Sequence, residues 1–337
     1  MSEFICNYKK IKKMKIPGFG YPLNKVKDFS IYNKSRPDLN PFLKRKSTIS
    51  EKAFIIDLTG YTHFHFIFDK LAQYEFIKRL DPEINLYVLT DEHHTKEKNG
   101  ILKDLTSVYS IPESNVFNVA SGEKYVFKNL FFIWSTHNYL FTNIFVKEFF
   151  DPWHNKKDFK VYIQTIYPLL QSRFKGYIKS KIDPDLKIFI SRFNHHEQKG
   201  RNKDDFRYIS KNDEIELEKF FKYKGYQIIA AEDLGLLEQV ELYSGAYKIA
   251  GIKSSGLVNT IFCKKESEII AINLDDEYQV WYDYICMFAG IKYSEFPTIY
   301  DEKGRALSYA LPRETHNRKT FSFKEIEESL LKNSTLL

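Results

Sequence analysis

Short apolar runs separated by amphipathic stretches set the rhythm of the chain from residue 183 onward. DLKIFIS (185–191), YQIIAA (226–231), YKIAGI (247–252) and SEIIAINL (267–274) have the length and β-branching of buried strands. Helical patterns lie between them. Residues 211–224 place Leu217, Phe220 and Phe221 on one face, with Ser210 and Asp213 as a capping pair and Gly225 as terminator. Residues 234–244 run to Gly245, and residues 256–263 present Leu257, Ile261 and Phe262. Alternating strands and helices predict a parallel sheet with right-handed crossovers, Rossmann-like in architecture.

The first half alternates less regularly. AFIIDL (53–58), INLYVLT (84–90), NVFNVA (115–120) and KYVFKNLFFIW (124–134) read as strands, with helices over 63–80 and 96–109. Residues 138–182 are aromatic, lysine-rich and helical in period, and Asp183-Pro184-Asp185 marks a boundary. Residues 276–290 form an aromatic helix followed by a polar tail. The division expected is an N-terminal α/β lobe over 1–182, a C-terminal Rossmann-like lobe over 183–275, and a helix and tail over 276–337. A terminal helix of this kind is expected to pack back across two lobes.

Length supports that division, because 337 residues exceed what one core usually organises. With 43% hydrophobic and 16% aromatic residues, a sizeable core is available and disordered or fibrous classes are excluded. Three widely spaced cysteines, Cys6, Cys263 and Cys286, make neither a disulfide framework nor a CxxC metal site, which fits a reducing compartment. The opening MSEFICNYKKIKKMK has no apolar h-region, and no run of about 18 apolar residues follows, so a cytoplasmic protein is expected. A net charge of +7 favours anionic partners without choosing among them. The basic clusters at 9–15 and 44–46 are the candidates for peripheral contact with a membrane's inner face, although as solvated faces they need no role.

Ligands of open parallel sheets bind beyond the carboxyl ends of the strands. GIKSSGLVNTIF (251–262) leaves an apolar strand and enters a helix through Lys253, Ser254, Ser255 and Gly256. Hydroxyls, a glycine permitting close approach, helix N–H groups and one cation would suit a phosphate. The plainer reading is a capped helix with a glycine for tight packing. GxxxxGK[ST] and GxGxxG are both absent, which removes most support for ATP hydrolysis and for dinucleotide binding. Arg192 emerges at the same sheet edge and could clamp a phosphate bidentately, with Arg207 further along its loop. His195 and His196 lack the partner spacing of a metal site, and no catalytic metal is expected. In the first lobe His65 and Asp69, four residues apart, share a helical face. That is a general base oriented by a carboxylate, or a polar pair that stabilises the helix start.

The order of these motifs resembles glycosyltransferase family 61. The family's Tyr-x-x-x-His-Trp-x-x-x-Asp pattern stands here as Tyr61, His65, Phe66 and Asp69, with phenylalanine for tryptophan. A strand ending in Ser-Arg, a second arginine and an Asn-Glu-like helix entry are matched by Ser191-Arg192, Arg207, Asn212 and Glu214. A glutamate after a strand, a Leu-x-x-x-x-Gln helix and a Gly-x-His-Gly-Ala-Gly-Leu-x-Asn turn are matched by Glu232, Leu234 with Gln239, and Gly251 through Asn259. Lys253, Ser254 and Ser255 replace the histidine, glycine and alanine of that turn.

The resemblance implies a GT-B-like fold, two Rossmann-like lobes facing across a cleft, and an inverting transferase of hexosyl or pentosyl groups with no obligatory metal. His65 would be the base and Asp69 its orienter. Arg192, Arg207, Glu232, Gln239, Lys253, Ser254, Ser255, Gly256 and Asn259 would hold the donor. The implied partners are a nucleotide-sugar, UDP-linked by preference, and a glycan or lipid-linked acceptor in polysaccharide biosynthesis. A CMP-linked acidic-sugar transferase and a non-catalytic nucleotide- or glycan-binding protein are the alternatives. Nucleic-acid binding draws on net charge alone, with no recognition motif behind it.

Overall fold

The computed structural model describes residues 4–7, 10–16, 19–33, 46–58, 66–90, 100–118, 124–133, 156–194, 197, 209–274, 281–297 and 321–333. They divide into two compact units, Met1–Arg173 and Phe174–Leu337.

The first unit is built on a seven-stranded mixed sheet. Its strands are β1 (Phe4–Asn7), β2 (Lys10–Ile16), β3 (Phe19–Asn33), β4 (Lys46–Asp57), β5 (Asn85–Thr90), β6 (Val116–Asn118) and β7 (Lys124–Ile133). The order is β1-β3-β7-β4-β5-β6, with β2 also paired to β3. Its β7, β4, β5 and β6 run parallel to one another, whereas β1 and β2 pair antiparallel with β3, and β3 with β7. Five of the six residues of β5 are buried, as the unbroken apolar run Leu86–Leu89 requires of a strand covered on both faces. A π-helical turn, Phe66–Leu71, leads into helix α1 (Ala72–Leu80). Helices α2 (Ile101–Tyr109) and α3 (Lys156–Arg173) complete the unit.

The three N-terminal strands carry no readable signal. KKIKKMK falls largely within β2, yet Ile11, Met14 and Ile16 break the period-two alternation by which a strand is recognised. Likewise β4 begins at Lys46, seven residues before the apolar run, because Lys46–Ile49 pair with Lys124–Phe127 through backbone bonds that need no apolar side chains.

The second unit matches its predicted alternation closely. Its strands are β8 (Asp183–Ser191), β9 (Gln227–Ala230), β10 (Ala246–Ile252), β11 (Glu268–Ile272) and β12 (Lys292–Phe296), all parallel to their neighbours. The order β12-β11-β10-β8-β9 places the first strand of the unit between its second and third. Helices α4 (Lys211–Tyr223), α5 (Leu236–Gly245) and α6 (Trp281–Ala289) connect them, and α7 (Phe323–Lys332) follows. Ser210 caps α4 by accepting from the Asp213 backbone N–H at 3.1 Å, and Gly225 closes it at φ +83°.

Phe189, Leu217, Phe221, Ala250, Ile252, Ile270, Ile272, Ile326 and Leu330 form one core cluster, which fixes α4 and α7 on the same sheet face. The Phe189 and Phe221 rings stack at 4.5 Å. Two features differ from the sequence reading. Where that reading ends the sheet at Leu274 and continues with a helix and tail, residues 281–296 add α6 and a fifth strand to the second unit's own sheet. The segment after β10 is a 3₁₀ helix, Ser255–Phe262, rather than an α-helix.

Candidate functional site

In a doubly wound sheet of order 2-1-3-4-5, the connections leave the first strand on opposite sides, and a crevice opens at the carboxyl ends where they part. Here that switch point lies between β8 and β10, whose register pairs Ile190 with Gly251. The residues that emerge there are Arg192 and Lys253.

Both cations are buried, Arg192 at 7% and Lys253 at 5% exposure. A buried charge is tolerated only when partnered. The Lys253 ammonium donates to Glu295 Oε1 at 2.9 Å, and its backbone N–H donates to the Ile272 carbonyl at 3.0 Å. The same carboxylate accepts from the Tyr293 hydroxyl at 2.8 Å and from Asn273 Nδ2 at 3.2 Å. Beneath Arg192, the Ser191 hydroxyl donates to Glu218 and accepts from the Phe193 N–H at 3.0 Å.

The turns around this edge are tied to one another. Asn194 Nδ2 donates to Asp233 at 3.0 Å, joining the loop after β8 to the 3₁₀ turn Ala231–Asp233 that carries Glu232 after β9. Gln239, on α5, donates to the Ala231 and Leu234 carbonyls at 2.9 and 3.0 Å and accepts from Asn259 Nδ2 at 2.6 Å. Tyr243 donates to the Gly256 carbonyl at 2.6 Å, and Tyr282 to the Ser254 carbonyl at 2.5 Å. Burial, with lesser help from neighbouring Cys263, pushes the Tyr243 phenol well above its ordinary range, so it stays a hydrogen-bond donor. Burial likewise pushes up the Cys263 thiol, which gives it no thiolate chemistry near neutrality.

Both glycines of the turn lie where the backbone passes over β8. A Cβ on Gly251 would stand 3.2 Å from Ile190 Cβ, and one on Gly256 would stand 3.0 Å from Ile190 Cγ2. Ser254, at 4% exposure, precedes the 3₁₀ helix and makes no side-chain cap bond. Close packing thus accounts for the glycines, and capping by the Ser254 hydroxyl is not what holds the turn.

Of the predicted site residues, Arg192, Glu232, Gln239, Lys253, Ser254, Gly256 and Asn259 all belong to the carboxyl edge of the second unit or its immediate support. Gln239 and Asn259, at 3% and 0% exposure, spend their amides on protein partners. His65 and Arg207 lie outside the described residues, as do the side chains of Asp69 and Ser255. The backbone of Asp69 is part of the π-helical turn Phe66–Leu71. Glu295, Asn273 and Tyr293 were missed. For Tyr293 and Glu295 the one signal is the run IKYSEF (291–296), β-branched and aromatic before Pro297 but too short and too polar to stand out as a strand, whereas Asn273 closes the apolar run SEIIAINL (267–274) with nothing to mark it as a site residue. Among the described residues no group of three or more His, Cys, Asp and Glu side chains is placed to hold a metal ion.

Fold and edge together define a Rossmann-like α/β protein whose second unit presents a polar, cation-bearing rim at its switch point. Residues 63–270, more than half of the chain, match the glycosyltransferase 61 family, from the first-unit motif to β11. The chain belongs to glycosyltransferase family 61, and with that family comes a transferase acting on a glycosyl donor and an acceptor. No curated protein matches the chain.

Proposed function

We propose that the protein is an inverting, metal-independent glycosyltransferase of GT-B type that moves a sugar from a UDP-linked donor to a hydroxyl of a cell-surface glycan or related acceptor. The observation that carries this reading is the emergence of Arg192 and Lys253 from adjacent strands at the switch point of the second unit. A diphosphate leaving group requires cationic and N–H support, and this edge supplies both.

In the proposed reaction His65, oriented by Asp69, takes the proton of the acceptor hydroxyl as its oxygen attacks the anomeric carbon. The bond from that carbon to the diphosphate oxygen breaks on the opposite face, which inverts the centre. The electron pair leaves with the nucleoside diphosphate, whose charge Arg192 and the N–H groups at 254–256 receive. Glu232, half-exposed on its turn, is suited to accept from the ribose hydroxyls or the base. The Glu295 carboxylate already faces the Lys253 ammonium, which favours a neutral sugar over a CMP-linked acidic one.

Incubation with a panel of nucleotide-sugars, read by thermal shift and by release of the nucleotide, tests the proposal. One UDP-sugar is expected to stabilise the protein and to turn over, and Arg192→Ala is expected to remove turnover while the fold persists. Binding without hydrolysis or transfer to any acceptor would instead mark a non-catalytic nucleotide-binding protein.

A further inference from the structure

The Lys253 ammonium does not point to the β8 side of its strand. It reaches across the end of β11 to Glu295 on β12, two strands from β10. The carboxylate that receives it is fixed on a strand and accepts two further bonds, from Tyr293 and Asn273. Asn273 is anchored in turn, because its Nδ2 also donates to the Pro297 carbonyl at 2.9 Å and its backbone N–H to the Phe296 carbonyl at 2.8 Å. Side-chain exposures of 6% and 13% put the pair in a medium where charges are weakly screened. Glu295 lies beyond residues 63–270, the span that matches the family.

We propose that Glu295 is the positioning residue that sets the charge of the donor edge. By pairing with Lys253 and drawing its ammonium toward β12, it takes that lysine's net charge away from the edge that meets the diphosphate. This inference rests on the proposed donor site at the β8/β10 edge.

The consequence is selectivity between donor and product. A released nucleoside diphosphate carries more negative charge than the sugar-capped donor, because its terminal phosphate has a second ionisation at about pH 6. A bare ammonium beside the site would favour the product more than the donor, and so would slow product release. Glu295 prevents this.

The test compares wild type, Glu295→Gln, Lys253→Met and the double variant, using UDP and the UDP-sugar that the wild type turns over. Glu295→Gln is expected to bind UDP about three- to tenfold tighter relative to the UDP-sugar, with a lower kcat and a steeper salt dependence of UDP binding. A merely structural role would weaken both ligands together and leave their ratio unchanged, and that result overturns the proposal. If Glu295→Gln does not fold, the decision passes to the other two variants. Lys253→Met leaves the weakly screened Glu295 carboxylate without its cation and should weaken UDP binding, and adding Glu295→Gln should restore it. Failure of that restoration also overturns the proposal. Wild type that binds no nucleoside diphosphate and no nucleotide-sugar would refute the donor site itself, a result distinguishable from either of these.

Discussion

The Asn259 amide donates to the Gln239 side-chain carbonyl at 2.6 Å, with both residues all but sealed from solvent. Through Gln239 Nε2 the link continues to Ala231 and Leu234, so one buried amide pair joins the turn after β9 to the turn after β10. Replacing Gln239 with Ala leaves the Ala231 carbonyl and the Asn259 amide without this partner, at a cost of about 1–3 kcal/mol. Chemical denaturation should record that loss, with donor affinity falling only as the turns loosen. Full stability combined with lost donor binding would mean that the amides touch the donor directly.

Gly256 has a more local constraint. A methyl group there meets Ile190 Cγ2 at 3.0 Å, so Gly256→Ala should destabilise the second unit by about 1–3 kcal/mol through overpacking. Ile190→Ala removes the Cγ2 methyl that the new group meets, so the double variant should lose less than the sum of the two single variants. Denaturant midpoints of the two single variants and the double variant measure the coupling.

At the amino end of the same sheet, Glu268 bridges Lys292 at 2.9 Å and Lys248 at 3.3 Å across three strands in register. Burial raises its carboxyl, but the two lysines outweigh burial and hold it below the ordinary value of 4.5. A carboxyl depressed in the folded state contributes stability that is fully present above its unfolded value and is lost as pH falls through the folded one. Thermal unfolding from pH 7 down to about pH 3 should therefore show a decline beginning below about pH 5. In Glu268→Gln that decline should be shallower, with a loss on the order of 1 kcal/mol at pH 7.

The first unit has its own buried charge. Arg173 Nε donates to Glu75 Oε1 at 2.6 Å, and its guanidinium lies 4.9 Å from the centre of the Tyr109 ring, tying α3 to α1 and α2. Burial, assisted by the Glu75 charge, pushes the neighbouring Tyr74 phenol up to about 12. Arg173→Ala strands the Glu75 carboxylate and should cost about 2–3 kcal/mol, less than the about 3–5 of a fully buried pair because Arg173 is partly exposed. Arg173→Lys keeps the charge but loses the planar contact with Tyr109, and should recover only part of the loss.

The second unit was legible because its inner strands β8, β10 and β11 carry buried apolar runs and β9 a short β-branched one. KIFI, IIA, KIAGI and EIIAI are continuous apolar runs bounded by caps and glycines, and such runs announce themselves. Strand β12 did not, since Tyr293 and Glu295 serve a polar network rather than the core. Placing Arg192 and Lys253 on one edge needed only the strand-then-turn order, which the sequence contains. The direction of the Lys253 side chain depends on Glu295, 42 residues away, and no local pattern encodes such a pairing. For Gln239 and Asn259 the motif shows that the residue types matter but not whether they face a ligand or each other. The family match adds the reaction class, which composition and periodicity do not carry.

The most direct test of a diphosphate-binding edge between β8 and β10 is calorimetric titration of UDP into wild type and into folded Arg192→Ala. Saturable binding by wild type, weakened at least about tenfold in the variant, is the predicted result. Equal affinity in both proteins would place the nucleotide elsewhere and contradict the assignment.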